Sequence, residues 1–254
     1  MIRFASLGSG SKGNALLVEA GSTRLLIDAG FGPREMVRRL ERLGLAAADI
    51  DAVLVTHEHS DHIGGVFACA RRFDWAVLLT HGTLAACRDD GSDTRITIID
   101  SHEPFSVGDI CVHPFPIPHD AREPVQFVLG DGARTLGVVT DAGHVTRHMV
   151  DMLDACDALV LECNHDVKML AQGSYPQALK RRIGGLWGHL DNAAAALLLS
   201  RIRHSGLRHV VAAHLSEENN SPALAQAALS AVLDCAQDWV GIATQDDGFA
   251  WRDL

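Results

Sequence analysis

The chain has 254 residues, with 32 acidic and 22 basic side chains and a formal charge of -10. That balance argues against loose nucleic-acid binding over the whole surface, which needs a basic excess. No apolar run approaches the ~18 residues of a membrane span, and fourteen histidines against one tyrosine direct attention to metal ligation.

Strands are expected at residues 2–7, 15–20 and 23–27, the last two joined at Gly21-Ser22, and a helix at 33–43 with Met36, Val37, Leu40 and Leu43 on one face. The arginines of that helix, Arg34, Arg38, Arg39 and Arg42, read as solvated surface. A buried strand at 52–56 precedes a helix at 62–72, and further strands are expected at 76–80 and 96–99. Residues 110–117 alternate around Pro114 and Pro116, the mark of an edge or irregular strand. Strands at 126–129 and 135–140 flank Asp131-Gly132, a hairpin turn signal. A helix at 145–155, a strand at 158–161 and a helix at 192–203 capped by Asp191 follow. A strand at 209–213 leads to a helix at 222–235 that starts on Pro222. A final strand pair is expected at 240–251. No linker or repeat divides the chain, so residues 1–254 are expected to form one domain of two sheets with helices packed outside. The six cysteines form no C-x-x-C pair, and residues 1–4 lack the layout of a signal peptide. Free thiols in a reducing cytoplasm are the expectation.

Residues 8–13 spell G-x-G-x-x-G after a strand, with Asp28 twenty positions after Gly8. A dinucleotide site would need a helix next, and the following residues read as strand, turn and strand instead. What remains is a Gly/Ser loop carrying Ser9, Ser11 and Asn14. It is either a tight turn between strands or a cradle of N–H and hydroxyl groups for an anion.

The central signal is Thr56-His57-Glu58-His59-Ser60-Asp61-His62, between an apolar strand and a helix. In an extended loop His57 and His59 reach one ion, while Asp61 and His62 at the helix start address a second. So many ligand-type side chains in one short loop are costly to desolvate without a cation between them. Asp28, Asp141 and His214 each end an apolar strand, which places them at one rim of the sheets. His119-Asp120 follows another strand-like run. His81 also ends a strand, but His119 is the better candidate because of the Asp120-Ala121 stretch that follows it. The set offers only nitrogen and oxygen ligands.

In these motifs and their order the chain resembles the metallo-β-lactamase-fold hydrolases, over almost its whole length. The resemblance implies an α/β, four-layer αββα sandwich. It implies that His57, His59 and His119 hold one metal and Asp61, His62 and His214 the other, with Asp141 bridging. Asp28 would order the histidine loop by hydrogen bonds. More narrowly, the chain is similar to the YycJ/WalJ branch, regarded as 5′→3′ exodeoxyribonuclease-type phosphodiesterases. The residues that carry this are 9–14, His119-Asp120-Ala121 with Glu123-Pro124, 162–166, Tyr175-Pro176, 188–192, and 214–216 with Asn219-Asn220. Cys163 and Asp191 stand where that branch leads one to expect serine. Neither is a metal position.

Two divalent ions, zinc or alternatively manganese, would activate water and polarise a phosphoryl oxygen. They would also restore about four positive charges against Asp28, Asp61 and Asp141, where a phosphate must bind. Asp61, His165 and His189 are the candidates for catalytic proton handling, and a structural hydrogen-bonding role is the alternative for each histidine. Ser9, Ser11 and Asn14 are the candidates for phosphate binding. Lys180-Arg181-Arg182 reads as a solvated face or as a clamp on a nucleic-acid backbone. The expected activity is therefore a metal-dependent phosphodiesterase acting on a DNA end. The alternative is a hydrolase of a small ester, lactone, thioester or cyclic phosphate on the same fold.

Overall fold

The computed structural model describes residues 1–89 and 91–254. Six strands open the chain: β1 (Ile2–Gly8), β2 (Ala15–Ala20), β3 (Thr23–Ile27), β4 (Ala52–Leu54), β5 (Ala76–Thr80) and β6 (Arg95–Ile99). Seven build a second sheet: β7 (Phe105–Val107), β8 (Ile110–Pro116), β9 (Val125–Gly130), β10 (Thr135–Val139), β11 (Ala158–Glu162), β12 (His209–Ala213) and β13 (Gly241–Ile242). The last strand, β14 (Phe249–Asp253), returns to pair with β1, giving the order β14-β1-β2-β3-β4-β5-β6 beside β13-β12-β11-β10-β9-β8-β7. The helices are α1 (Pro33–Glu41), α2 (Ser60–Ile63), α3 (Val66–Phe73), α4 (His81–Ala86), α5 (Arg147–Leu153), α6 (Val167–Gln172), α7 (Gln177–Ile183), α8 (Asn192–Ile202) and α9 (Pro222–Leu233).

Three apolar layers hold these elements together. Phe4, Leu16, Val18 and Leu25 of the first sheet meet Phe127, Leu129, Val138 and Val160 of the second. The opposite face of the first sheet, with Leu17, Leu26 and Val53, packs on Met36 and Leu40 of α1 and Phe67 of α3. The opposite face of the second, with Leu159 and Val210, packs on Met149, Leu198 and Leu229 of α5, α8 and α9. Strands buried on both faces read as continuous apolar runs, which is why their positions were so plain in the sequence. The result is the expected αββα arrangement. No helix among the described residues is long and apolar enough to cross a membrane.

The register explains where chemistry collects. β3 and β4 are parallel, as are β10, β11 and β12, and β8 runs in the same sense because two antiparallel pairings separate it from β10. The segments that follow these strands therefore emerge at one rim. They carry Asp28, the histidine loop, His119, Asp141, Glu162–His165 and His214.

Four expectations need correction. The helix expected at 62–72 is two helices, α2 and α3, broken at Gly64-Gly65. A Cβ on Gly65 would come within 1.8 Å of the Phe31 carbonyl oxygen, so glycine lets the chain after β3 lie directly against the histidine loop. There, Asn14 N–H and Ala29 N–H donate to the carbonyls of Asp61 and His62 at 2.7 and 2.9 Å. The expected terminal strand pair is divided, β13 joining one sheet and β14 the other. The proline-bearing strand β8 is not an edge strand, but β7 pairs only with Ile110–Val112, so Pro114 and Pro116 stand beyond that ladder and interrupt no bond to β7. Lastly, Arg39 is buried, 5% exposed. Its Nη1 donates to the carbonyls of Leu7, Gln245 and Asp246, its Nε to Glu35 at 2.6 Å, and its guanidinium lies 3.9 Å from the Phe31 ring centre. Arg39→Ala is expected to cost about 3 kcal/mol in urea unfolding, because it takes the donor from the Gln245 carbonyl, leaves the carbonyls of Leu7 and Asp246 to Arg42 alone, and removes the buried guanidinium that joins both ends of the chain.

Candidate metal centre

Three of the strand-end residues share an unusual backbone. Asp28, Asp141 and His214 have φ of 63°, 56° and 53°. The left-handed region costs a side-chain-bearing residue about 1 kcal/mol or more, and such outliers concentrate at functional sites. Here each one turns a side chain inward at the common rim. Asp28 then organises the loop across from it. Its carboxylate accepts from Thr56 N–H at 2.8 Å, from the Thr56 hydroxyl at 2.8 Å and from His62 Nδ1 at 2.7 Å.

Proton placement follows from these partners. The Thr56 hydroxyl donates to Asp28, so it must accept from His57 Nδ1–H at 2.9 Å, leaving the Nε2 lone pair of His57 bare. His119 Nδ1 donates to the Gly188 carbonyl at 3.0 Å, leaving its Nε2 bare as well. These two nitrogens lie 3.0 and 3.1 Å from His59 Nδ1. One proton on His59 can serve only one of them, whereas a cation satisfies all three nitrogens at once.

The second group is carboxylate-rich. With Nδ1–H committed to Asp28, His62 Nε2 faces Asp61 Oδ2 at 3.3 Å and Asp141 Oδ2 at 3.1 Å. His214 Nε2 faces the same Asp61 oxygen at 3.3 Å. Asp141 Oδ2 is buried and makes no hydrogen bond among the described residues. A buried, unsatisfied carboxylate oxygen between ring nitrogens is costly and fits a cation. Both donor sets, His57 with His59 and His119, and Asp61 with His62 and His214, keep their ligand atoms within 4.8 Å of one another, and Asp141 joins His57 and His62 in a third such set. His81, by contrast, is the exposed first residue of α4 and belongs to none of them.

Charge is distributed accordingly. Burial and the neighbouring rings push His57 well below the usual histidine range, Asp141 opposing them. Burial works against a charge on His62 and His214 too. There it is outweighed by Asp141 with Asp28 and Asp61 for His62, which stands well above its usual range, and by Asp141, Asp61 and Glu162 for His214, which is raised to about 9. The same carboxylates that hold protons on these rings attract divalent cations in their place.

The remaining candidates separate by position. His189 lines the cleft over the cluster together with Ser11, Asp61, Asp141 and His214. Its Nδ1 lies 2.8 Å from Glu162 Oε1 and 3.3 Å from Asp141 Oδ1. Burial opposes its charge, but these two carboxylates raise it to about 10. His165 is buried, lies outside the cleft lining, and keeps Nδ1 3.3 Å from Asn164 Oδ1. Ser9 and Asn14 are turned inward. The Ser9 hydroxyl accepts from His214 N–H at 2.9 Å, and Asn14 Nδ2 lies 3.3 Å from Asp61 Oδ2. Of the three loop candidates, only Ser11 lines the cleft. Gln245, unmarked in the sequence, pins that loop by accepting from Lys12 N–H at 2.8 Å and donating to the Gly13 carbonyl at 2.9 Å. Glu162, marked in the sequence only as part of the 162–166 motif and given no role there, is wholly buried and accepts from Ala142 N–H, Leu190 N–H and His189. Asp191 caps α8 by accepting from Ala193 N–H and Ala194 N–H. A serine would do the same work, which accounts for the departure noted there.

Residues 23–215 match the family described as beta-lactamase superfamily domain. The chain is 36% identical over 237 residues to exodeoxyribonuclease YycJ of Bacillus anthracis, covering 92% of this chain and 89% of that protein. It is 32% identical over 247 residues to exodeoxyribonuclease WalJ of Streptococcus pneumoniae, covering 94% and 91%. The metallo-beta-lactamase fold protein YhfI from Bacillus subtilis superposes with a TM-score of 0.76 over 99% of this chain and 98% of its own, at 16% identity.

Proposed function

The chain belongs to the beta-lactamase superfamily and, within it, to the family of YycJ and WalJ, and from that premise we propose that it is a metal-dependent exodeoxyribonuclease working 5′→3′ on a DNA end. The observation that carries the reading is the converging ligand set, with a buried Asp141 oxygen at its centre that no hydrogen bond among the described residues satisfies. In this proposal His57, His59 and His119 would hold one divalent ion and Asp61, His62 and His214 a second, with Asp141 available to both. The nitrogen- and oxygen-only ligands favour zinc, with manganese as the alternative. Bound ions supply positive charge opposite the phosphate and lower the pKa of water.

The chain's own groups do the rest. Asp28 orients the loop through Thr56 and His62. Asp61, held toward His214 and backed by Asn14, orients the attacking water and takes its proton. His189 donates to the leaving oxygen, since it lines the cleft with Nδ1 engaged by Glu162. His165, being buried, supports its loop instead. Ser11 is the loop residue placed to meet a phosphate. Residues 1–254 act as one unit, the free cysteines support a reducing, cytoplasmic setting, and DNA repair is the role that an exonuclease acting on a DNA end would serve.

Purified protein is expected to carry about two metal ions per chain by elemental analysis, to release nucleotides from 5′-phosphorylated single-stranded DNA, and to stop doing so in chelator. Metal-replete protein that leaves DNA intact while cleaving lactones, thioesters or cyclic phosphates would overturn the nuclease reading in favour of a small-molecule hydrolase.

A further inference from the structure

One wall of the cleft is chemically unlike the rest. Tyr175, Leu179 and Ile183 line the same cleft as Asp61, Asp141 and His214. Leu179 and Ile183 are one turn apart on α7 and share its face, and Tyr175 stands just before the helix. All three are half-buried. Phosphate has no use for an apolar wall, because charged oxygens gain nothing from leaving water for aliphatic carbon. The part of a substrate that fits there is flat and apolar.

The charge of the same segment supplies the second half of the argument. In a chain of net charge -10, residues 175–187 contain Lys180, Arg181 and Arg182 and no acidic residue. Arg182 also lines the cleft, its Nε 2.6 Å from Asp120 Oδ2. The turn that follows is fastened by Gly188 N–H to the Gly185 carbonyl at 2.9 Å and His189 N–H to the Ile183 carbonyl at 2.9 Å, so the arm is tied to His189. Cations interleaved with aromatic and apolar faces are how single-stranded nucleic acid is held, the backbone by charge and each base by stacking.

We propose that Tyr175, backed by Leu179 and Ile183, is the platform on which the base of the nucleotide at the cleavage site stacks, so that the site takes its strand unpaired. This rests on the nuclease reading above and adds a specificity-determining residue to it. Tyr175 acts through its ring face, not its hydroxyl.

The test compares wild type, Tyr175→Phe and Tyr175→Ala, all metal-loaded, on a single-stranded oligonucleotide and on the same strand with an abasic 5′-terminal unit. Tyr175→Ala is expected to raise KM on the normal strand about tenfold, the effect of losing one base-stacking contact, with kcat within twofold. Tyr175→Phe should match wild type, and all three should be alike on the abasic strand. Equal losses in the Phe and Ala variants would assign the role to the hydroxyl and overturn the platform. So would an equal loss on the abasic strand, or no loss at all. Anisotropy of a fluorescent, cleavage-resistant phosphorothioate strand keeps the two readings apart. If wild type cleaves no DNA yet binds that strand about tenfold more tightly than Tyr175→Ala, the nuclease reading falls and the platform stands. Cleavage by wild type with equal binding by both proteins does the reverse.

Discussion

Asp141→Asn is expected to leave a folded protein that holds at most one metal ion per chain and cleaves DNA about a thousandfold more slowly. Asparagine tolerates the left-handed backbone found at this position, so the strand end survives. What is lost is the negative charge: Asp141 Oδ2 has no hydrogen bond among the described residues and lies 3.1 Å from His62 Nε2, while Oδ1 lies 3.3 Å from His189 Nδ1 and 3.5 Å from His214 Nδ1. A neutral amide can serve one cation through its oxygen, but not two. Charge stabilisation by paired ions amounts to several kcal/mol, and each 1.36 kcal/mol is tenfold in rate. Elemental analysis with single-turnover kinetics reads both effects. Two retained ions together with activity within tenfold of wild type would overturn the bridging role proposed for Asp141.

Glu162→Ala is expected to be the most destabilising single change at the site, by about 3–5 kcal/mol, lowering Tm by about 10 °C. The carboxylate is wholly buried and joins its own strand to two other segments: Ala142 N–H at 2.8 Å and Leu190 N–H at 3.1 Å on Oε2, and His189 Nδ1 at 2.8 Å on Oε1. Alanine leaves two buried N–H groups and a charged ring without their acceptor. Glu162→Gln does not restore the site, because an amide that accepts from His189 turns its NH₂ toward the two N–H donors. Urea unfolding and the temperature midpoint measure the loss, and kcat should fall with it as His189 loses its orientation. A change under 1 kcal/mol would show that the three segments are held by packing alone.

Much of this was legible in order along the chain. The strands β2, β3 and β5 fall where alternation and apolar runs put them, and the histidine loop, His119, Asp141 and His214, all marked in the sequence, lie together with Asp28 beside the loop. What escaped was short or solved by contact. Helices α4, α6 and α7 are six or seven residues long, too short to show a periodic face. Arg39 reads as surface because its neighbours on α1 are charged, and only the docking of the chain's two ends against it explains its burial. Asn14 and Ser9 read as phosphate binders because their loop is glycine-rich. In the folded chain they are spent on Asp61 and on the His214 backbone, leaving Ser11 at the cleft.

The sequence by itself determined the inventory: which residues hold ligand atoms, which strands are buried on both sides, and that the strands before Asp28, Asp141 and His214 each run into an acid or a histidine. These depend on residue type and local spacing, which are written in order along the chain. Only the tertiary structure decided which nitrogen of His57 and of His119 stays bare, that Asp141 keeps an oxygen without a hydrogen bond among the described residues, that Glu162 ties His189 to the rim, and that Tyr175 lines the same cleft as the cluster. Those are distances between residues far apart in sequence. They are set by parallel strands that deliver their ends to one edge and by two sheets that share a single apolar layer.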